Sequence, residues 1–178
     1  MNKLTERMLR AAKLDPHLYE EVETDTTAMN QAMLVVVLSS VAAGIGSVGM
    51  IGRPNLILIT LGALIGWYIW AFMTYWIGTK LLPEKETQTT YGQMLRTIGF
   101  SSTPGILRVL GIIPFLTNLV FMATGIWMLV AMIIAVRQAL DYQSTARAVG
   151  VCAIGWLIQL LFMGILFALM AGSMHTQI

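Results

Sequence analysis

The side chains that could take part in chemistry are few and widely separated in this chain of 178 residues. One cysteine, Cys152, and two histidines, His17 and His175, are present. An active site brings together groups whose protonation or nucleophilicity is tuned, yet the sequence contains no carboxylate pair within an apolar segment, no histidine beside a nucleophile and no cluster with metal-ligand spacing. The sequence therefore predicts a protein that is not an enzyme and that holds no metal and no cofactor.

Arg108, which interrupts a long apolar region, is the strongest candidate for an ionisable residue within the membrane. An ionisable residue inside a membrane span is a candidate functional residue, because a charge in lipid is costly. Such an arginine could bind a lipid phosphate or a buried carboxylate, but the apolar stretches contain no Asp or Glu. We therefore favour a second interpretation, in which the side chain extends to the outer interface and places its charge among the headgroups.

Five apolar stretches, which carry no charge, must position these residues. Their ranges are 26–52, 54–79, 97–107, 109–136 and 148–178. A membrane span needs about 20 apolar residues, and all but the third stretch meet that length. Charged residues make up 11% of the chain, whereas soluble domains carry about 25%. We predict an all-α polytopic membrane protein with five transmembrane helices in one bundle and a cytoplasmic N-terminus.

The third apolar stretch decides the topology. Residues 94–114 contain several glycines and serines and two prolines, which have poor helix propensity. Lipid does not tolerate unpaired backbone groups, so the segment is either a broken span or a re-entrant hairpin shielded by protein. Five crossings place nine of the 11 Lys and Arg residues inside and two outside, Arg53 and Arg108. A re-entrant segment gives eight and three, so the positive-inside rule favours five crossings.

The chain divides into three parts: a cytoplasmic arm at 1–27, a transmembrane domain at 28–172 and a short tail at 173–178. The arm begins with a basic amphipathic helix over 1–14, which either lies in the membrane interface or is solvated. Asp15 is suited to cap a second, acidic helix, with Pro16 at its first position. The first apolar stretch is longer than that of a signal peptide, so we expect it to remain in the mature protein.

Small residues at four-residue spacing allow helices to pack closely in lipid. The predicted packing positions are Gly44, Gly62, Gly66, Gly164, Ala168 and Gly172. An aromatic cluster in the second span includes Trp67, Trp70 and Trp76. We interpret these tryptophans as lipid-facing and packing residues; the alternative is a contact surface for a partner helix or a planar cofactor.

One motif in the third stretch, Gly99-Phe100-Ser101-Ser102-Thr103-Pro104, resembles the Gly-Tyr-x-x-x-Pro element of the Yip1 family. The segment from Leu18 to Glu23 is similar to prokaryotic members, and the resemblance covers residues 18–172. It implies five transmembrane helices with a cytosolic N-terminus and marks Gly99, Phe100 and Pro104 as motif residues. Phe100 stands in place of the usual Tyr, and the Asp-Leu-Tyr-Gly-Pro element of eukaryotic members is absent. The Rab association of those members is therefore not carried over.

These observations predict a non-catalytic integral membrane protein that acts through helix–helix contacts, as a scaffold, an assembly factor or an accessory subunit of a larger membrane complex. The alternative is a small-solute or ion transporter or channel that uses the broken third span, although the sequence shows no internal repeat of the kind many transporters have. The expected partners are membrane lipids and either other membrane proteins or further copies of this chain. Nucleic acid is not expected, because no basic stripe is interleaved with stacking aromatics. The resemblance places the protein in the inner membrane of a bacterial cell.

Overall fold

The computed structural model describes residues 3–52 and 54–175, and their side chains except at 163 and 166–175. Every regular element in that part of the chain is helical. The α-helices are α1 Lys3–Ala12, α2 Pro16–Thr24, α3 Ala28–Gly46, α4 Val48–Ile51, α5 Leu56–Trp76, α6 Tyr91–Ser101, α7 Thr117–Ala139 and α8 Thr145–His175. A π-helical turn, Ile77–Leu81, extends α5, and a 3₁₀ segment, Thr103–Ile112, follows α6.

Four helical stretches are long and apolar enough to span a membrane. They are Ala28–Gly46, Leu56–Leu81, Thr117–Ala139 and Thr145–Phe162. These stretches overlap the first, second, fourth and fifth apolar regions of the sequence. The all-helical class is therefore confirmed, and four of the five predicted spanning segments are helices long and apolar enough to cross a membrane. Arg53, which enters the charge count, and residues 176–178 of the predicted tail lie outside the described residues.

Helix α3 contacts α5, α6 and the 3₁₀ segment, and α5 also contacts α6. The small side chains of α3 allow this close packing, because they let neighbouring backbones approach in an apolar medium. Gly44 faces α5, and a Cβ built there would lie 2.5 Å from Cδ2 of Leu56. On the same side, the Ser40 hydroxyl lies 3.3 Å from Oγ1 of Thr60, so α3 and α5 run antiparallel.

The third apolar stretch is broken, as its composition predicts. The α-helix ends at Ser101, and a ten-residue 3₁₀ segment begins at Thr103, with Pro104, which has no amide hydrogen, as its second residue. Runs of 3₁₀ helix longer than three or four residues are uncommon, so an external support is needed. Helices α3 and α7 provide this support, because both pack along the 3₁₀ segment.

Three glycines show the path of the third stretch along α3. A Cβ at Gly99 would lie 2.7 Å from Cβ of Ala32, a Cβ at Gly105 would collide with the Ser39 hydroxyl, and a Cβ at Gly111 would lie 2.9 Å from the Gly46 carbonyl oxygen. The positions advance together along both segments. The two segments are therefore parallel, and the third stretch packs beside α3 over most of the length of that helix.

The N-terminal arm forms two helices that pack on the bundle. Asp15 caps α2 by accepting a hydrogen bond from the His17 amide at 3.0 Å, and Pro16 occupies the first turn, as predicted. Arg7 and Ala11 of α1 are buried, and α1 contacts α6 and the 3₁₀ segment. The first helix therefore lies against the protein itself, an arrangement that neither of the two sequence alternatives described.

Two polar connections meet at one end of the bundle. The Gln143 amide, between α7 and α8, donates to Oε2 of Glu84 at 2.8 Å. The Tyr142 hydroxyl donates to the Leu82 carbonyl at 2.7 Å, and Arg147 donates to the Pro83 carbonyl at 2.9 Å. The connection after α5 and the connection after α7 therefore lie on the same side.

Candidate functional site: a lateral cleft around Arg108

A cleft of about 870 Å³ lies among α3, α5, α6, the 3₁₀ segment, α7 and α8. Several lining residues are also exposed at the outer surface: Gly66, Met122, Ile126, Trp156 and Gln159. These five residues belong to α5, α7 and α8, each of which includes a stretch that is apolar and long enough to span a membrane. The cleft therefore opens sideways, toward lipid.

Arg108 lies in the wall of this cleft. Its Nε donates to Oγ1 of Thr124 at 3.3 Å, and its guanidinium carbon lies 5.4 Å from the centre of the Phe121 ring, within range for a cation–π contact. Among the described residues that line the cleft there is no Asp or Glu. The charge of Arg108 is thus held by a hydroxyl and an aromatic face, and both belong to α7.

The other polar groups of the lining are neutral. The Trp70 indole nitrogen is buried and has no hydrogen-bond partner among the described residues. Gln159 adds an amide, and Ser39, Ser40, Ser101 and Ser102 add hydroxyls. The Ser101 hydroxyl donates to the carbonyl of Ile98 at 2.7 Å and the Ser40 hydroxyl to that of Val37 at 2.8 Å. The cleft therefore combines one cation with several hydrogen-bonding groups in an otherwise apolar surface.

The three tryptophans grouped by the sequence have different environments. Trp67 is buried, and its indole N–H donates to the Leu95 carbonyl at 3.0 Å, which ties α5 to α6. Trp70 lines the cleft, where Gly155 of α8 packs against its ring. Trp76 is 47% exposed at the end of α5. Of the three, Trp67 and Trp70 border the cleft, and Trp70 alone brings a donor that no described residue engages.

The predicted packing glycines also separate into two kinds. Gly44 packs on Leu56, whereas a Cβ at Gly62, Gly66 or Gly164 would meet no described atom within 4 Å. These three therefore make no close helix contact within the described part of the chain, and their packing role remains a prediction for contact with another molecule. Ala168 and Gly172 lie outside the residues whose side chains the structure describes.

The family-motif residues shape the third stretch. Gly99 lies against Ala32 of α3, Phe100 is fully buried, and Pro104 is buried at the start of the 3₁₀ segment. Their positions suggest a structural reason for the motif: a close approach, an apolar anchor and a helix break. None of the three lines the cleft, but together they place Arg108 four residues beyond Pro104 in its wall.

Sequence analysis did not identify a buried ion cluster in the arm. Arg7, which is 1% exposed, donates to Oε1 of Glu21 at 2.7 Å, to Oδ2 of Asp25 at 2.6 Å and to Oε1 of Gln31 at 3.0 Å. Arg10 adds bonds to Asp15 at 2.7 Å and Glu21 at 2.5 Å. We call Arg7, Glu21, Asp25 and Gln31 the arm latch. The signal that could have indicated it is the basic helix placed just before an acidic one.

A second arginine fastens the end of α2 to α6. Arg96 is buried, and its Nε donates to the Val22 carbonyl at 2.8 Å while a second nitrogen donates to the Glu23 carbonyl. The last carbonyls of a helix lack partners and carry a partial negative charge, so a guanidinium stabilises them. The Glu23 carboxylate accepts from Nε2 of Gln93 at 3.0 Å. Sequence analysis missed this contact as well, because it joins residues at least 70 positions apart.

Loss of the Glu23 proton should make the arm less firmly held as pH rises. The pKa of Glu23 is raised from 4.5 to about 7, chiefly by burial. The nearby carboxylates Asp141 and Glu20 also raise this pKa, and Arg96 lowers it in part. The folded protein then holds a proton that the unfolded chain has lost, so this contribution is complete below pH 4.5 and disappears as pH rises through about 7. We expect the α2 amides to exchange faster at pH 7.5 than at pH 5, after correction for intrinsic exchange.

A Glu23→Gln variant, which keeps the neutral shape, should lose this pH dependence, whereas Glu20→Gln at an exposed position of α2 should retain it. The pKa values of Asp15, Glu21 and Asp25 are lowered, chiefly by hydrogen bonds to Arg10, Arg7 and Thr27. These three groups therefore titrate below this range. An unchanged pH dependence in Glu23→Gln would contradict the assignment.

Two residues that the sequence singled out for chemistry, His17 and Cys152, belong to no group of potential metal ligands among the described residues. His17 is exposed and lies 3.3 Å from Glu20, and Cys152 is buried in α8. Among the residues whose side chains the structure describes, no group of three His, Cys, Asp or Glu residues could hold a metal ion. The arrangement that the structure offers for chemistry is therefore the cleft, which can bind but has no tuned acid, base or nucleophile in its described lining.

Comparison with known families gives one result. The family model described as Yip1 domain matches residues 17–167, from the start of α2 into α8. The match includes the cleft-lining residues and leaves out α1. The searches of curated proteins and of solved structures gave no match.

Proposed function

The chain belongs to the Yip1 family and is an integral membrane protein; from this premise we propose that it acts without catalysis, through helix–helix contacts. Its role is that of a scaffold, an assembly factor or an accessory subunit of a larger complex in the inner membrane of a bacterial cell. The absence of a tuned chemical group in the described cleft lining supports a binding role.

The observation that carries this proposal is the outer face of α5. Gly62 and Gly66 lie on that face, four residues apart, with open space where a Cβ would project. Exposed apolar side chains flank them, and Leu61 and Ile65 are 51% and 60% exposed. Small residues at this spacing create a shallow groove that lets another helix approach closely. No described residue of the chain fills the groove, so it is available to a second membrane helix.

We expect Gly62→Leu to weaken association with the partner while leaving the chain folded. Leucine would fill the groove from outside, where a Cβ meets no described residue of the chain. The measurement is co-purification after mild detergent extraction, with partners identified by mass spectrometry and self-association followed by light scattering. Gly49→Leu is the matched control, because Gly49 also has open space around a Cβ but lies in α4.

Two results would count against the proposal. One is a partner or an oligomer that survives Gly62→Leu as well as it survives Gly49→Leu. The other is saturable solute flux through proteoliposomes, which would favour the transporter alternative. The third stretch lends that alternative little support, because Gly105 and Gly111 pack against Ser39 and Gly46 of α3 and do not border an open path.

We further propose five membrane crossings with a cytoplasmic N-terminus. Two observations support this topology. The third stretch runs parallel to α3 from Gly99, beside Ala32, to Gly111, beside Gly46, and the connections that follow α5 and α7 contact each other through Glu84 and Gln143. If both connections lie on one side, the chain between them must cross the membrane twice.

Cysteine labelling tests the topology in a Cys152→Ala background. Cysteines introduced at Lys85 and Asp141, both exposed, should react with an impermeant reagent only from the cytoplasmic side. A cysteine at Met50, which is 59% exposed in α4, should react only from the opposite side. Labelling of positions 85 and 141 from different sides would instead mean that the third stretch is re-entrant.

A further inference from the structure

We propose that the lateral cleft binds a membrane lipid with a single phosphate in its headgroup, with the phosphate against Arg108 and an acyl chain along the apolar wall. This inference does not depend on the scaffold role: Gly66 borders both the cleft and the groove on α5, but Gly62, whose substitution tests the groove, does not line the cleft. It rests on the charge of the cleft, its hydrogen-bonding groups, its shape and its opening.

The positive charge of Arg108 favours an anionic ligand in the cleft. Arg108 lies between membrane-spanning helices, where an unpaired cation is costly. Among the described residues its only hydrogen-bond acceptor is the Thr124 hydroxyl, on Nε at 3.3 Å. A guanidinium has five N–H donors in a planar fork that matches phosphate oxygens. The two terminal nitrogens of Arg108 are therefore the groups that would donate hydrogen bonds to a phosphate.

The neutral groups of the cleft are consistent with the same ligand. The Trp70 indole N–H is a donor without a partner among the described residues, and an indole nitrogen cannot accept a hydrogen bond. Gln159 and the hydroxyls of Ser39 and Ser102 can donate as well, whereas those of Ser40 and Ser101 already donate to helix carbonyls. The lining contains no carboxylate among the described residues that would repel an anion, so the site suits a ligand rich in acceptor oxygens.

The shape of the cleft is consistent with a lipid rather than a free ion. A volume of about 870 Å³ is at the upper end of the range for small-molecule sites and far exceeds that of a phosphate. Much of the wall is aliphatic or thioether: Val36, Ile59, Ile98, Met128, Leu129 and Met132. Methionine adapts to irregular apolar surfaces, which suits a flexible chain. Because the cleft opens sideways, a lipid can enter it without leaving the bilayer.

A transmembrane helix from a partner is a poorer occupant. Its backbone groups are already paired within the helix, so it would need an acidic side chain at the level of Arg108, and such residues are rare in spans. Phospholipids supply a phosphate at high local concentration in every bilayer. Charge complementarity therefore favours the lipid, and a helix becomes one of the results that the experiment can return.

Native mass spectrometry of the purified full chain with defined lipids tests the proposal. The probes are dioleoylphosphatidylglycerol, which carries one phosphate and a negative charge, and a neutral diglucosyl lipid with the same acyl chains. We expect the wild type to retain phosphatidylglycerol preferentially. Arg108→Gln should weaken retention about ten- to hundredfold, as loss of a charged hydrogen bond does, and Arg108→Lys should lie between, because Lys keeps the charge without the fork.

Two further variants distinguish lipid binding in the cleft from lipid binding by general surface charge. Gly125→Leu should also weaken retention, because Gly125 lines the cleft and has open space for a larger side chain, while Arg108 stays in place. Lys80→Gln, which removes an exposed charge near the end of α5, should have no effect. Inorganic phosphate at millimolar concentration should not displace the lipid.

The proposal fails if Arg108→Gln and Gly125→Leu retain phosphatidylglycerol as the wild type does, or if the neutral lipid binds equally well. Displacement by inorganic phosphate would show that the site holds a free anion, and a co-purifying membrane protein lost from both variants would show that a partner helix fills the cleft. Either result would overturn the lipid assignment. A folded Gly125→Leu variant keeps the test valid even if the Arg108 variants are unstable.

Discussion

Gly46→Ala should destabilise the protein strongly although it adds only one methyl group. A Cβ at Gly46 would collide with the carbonyl oxygen of Arg108, and a backbone atom cannot move aside cheaply. Overpacking of this kind costs about 1–3 kcal/mol, and occasionally more; we place Gly46 at about 3 kcal/mol, the upper end of that range. In a chain of this length, that corresponds to a melting temperature lower by about 6–12 °C, measured in detergent.

Gly62→Ala is the matched control for this substitution. It makes the same chemical change in another membrane-spanning helix, but a Cβ there meets no described atom within 4 Å. Since Ala is favoured over Gly in a helix by about 1 kcal/mol, the control should melt at the same temperature or slightly higher. Equal melting of the Gly46 and Gly62 variants would mean that the 3₁₀ segment does not rest on α3.

Arg7→Met should release the N-terminal arm. Methionine keeps most of the length and apolar stem of arginine but leaves Glu21 and Asp25 without their shared cation. Removing one partner of a buried ion pair costs about 3–5 kcal/mol. Since Glu21 and Asp25 remain 38% and 20% exposed, solvent screening reduces the expected cost to about 2–3 kcal/mol. Amide exchange in α1 and α2 should then be about 30- to 150-fold faster.

Arg10→Met provides the comparison within the same helix. Arg10 has two carboxylate partners as well, but its side chain is 29% exposed, and exposed ion pairs contribute about 0–1 kcal/mol. Its effect on exchange should therefore be small. Similar exchange in both variants would show that the arm is held by its apolar contacts, such as Leu18 and Val22, rather than by the latch. Exchange in α7 serves as the internal reference.

The latch and the cleft use arginine in opposite ways. Arg7 is surrounded by acceptors from three sequence segments, so its charge is neutralised inside the protein and stabilises a fold. Arg108 faces an aromatic ring and one hydroxyl, so its charge remains available. Although Arg7 is the more buried of the two, Arg108 is the better candidate for ligand binding, because no described carboxylate pairs with it.

The positions of the spanning helices could be predicted from the sequence because the bilayer acts on each segment separately. A span must be long, apolar and internally hydrogen-bonded, and these are local properties. The same holds for the start of α2, where Asp15 caps the amide of His17. The break in the third stretch was also predictable, since Pro104 and its neighbouring glycines lower helix propensity locally.

The environment of each small or charged residue could not be predicted in this way. Gly46 and Gly62 are both glycines in apolar helices, yet a Cβ would meet the backbone at Arg108 from the first and no described atom from the second. Helical periodicity relates residues three or four positions apart, whereas the contact between Gly46 and Arg108 joins distant parts of the chain. Arg7 shows the same limit, because its acceptors lie at Glu21, Asp25 and Gln31.

The sequence by itself thus determined the helical class, the membrane-spanning segments and the helix break, because lipid and backbone hydrogen bonding impose those features locally. Only the tertiary structure decided that the arm docks on the bundle, that the third stretch rests on α3, and that Arg108 lines a cleft with Trp70. Those outcomes depend on which distant surfaces are complementary, and complementarity is a property of the packed chain.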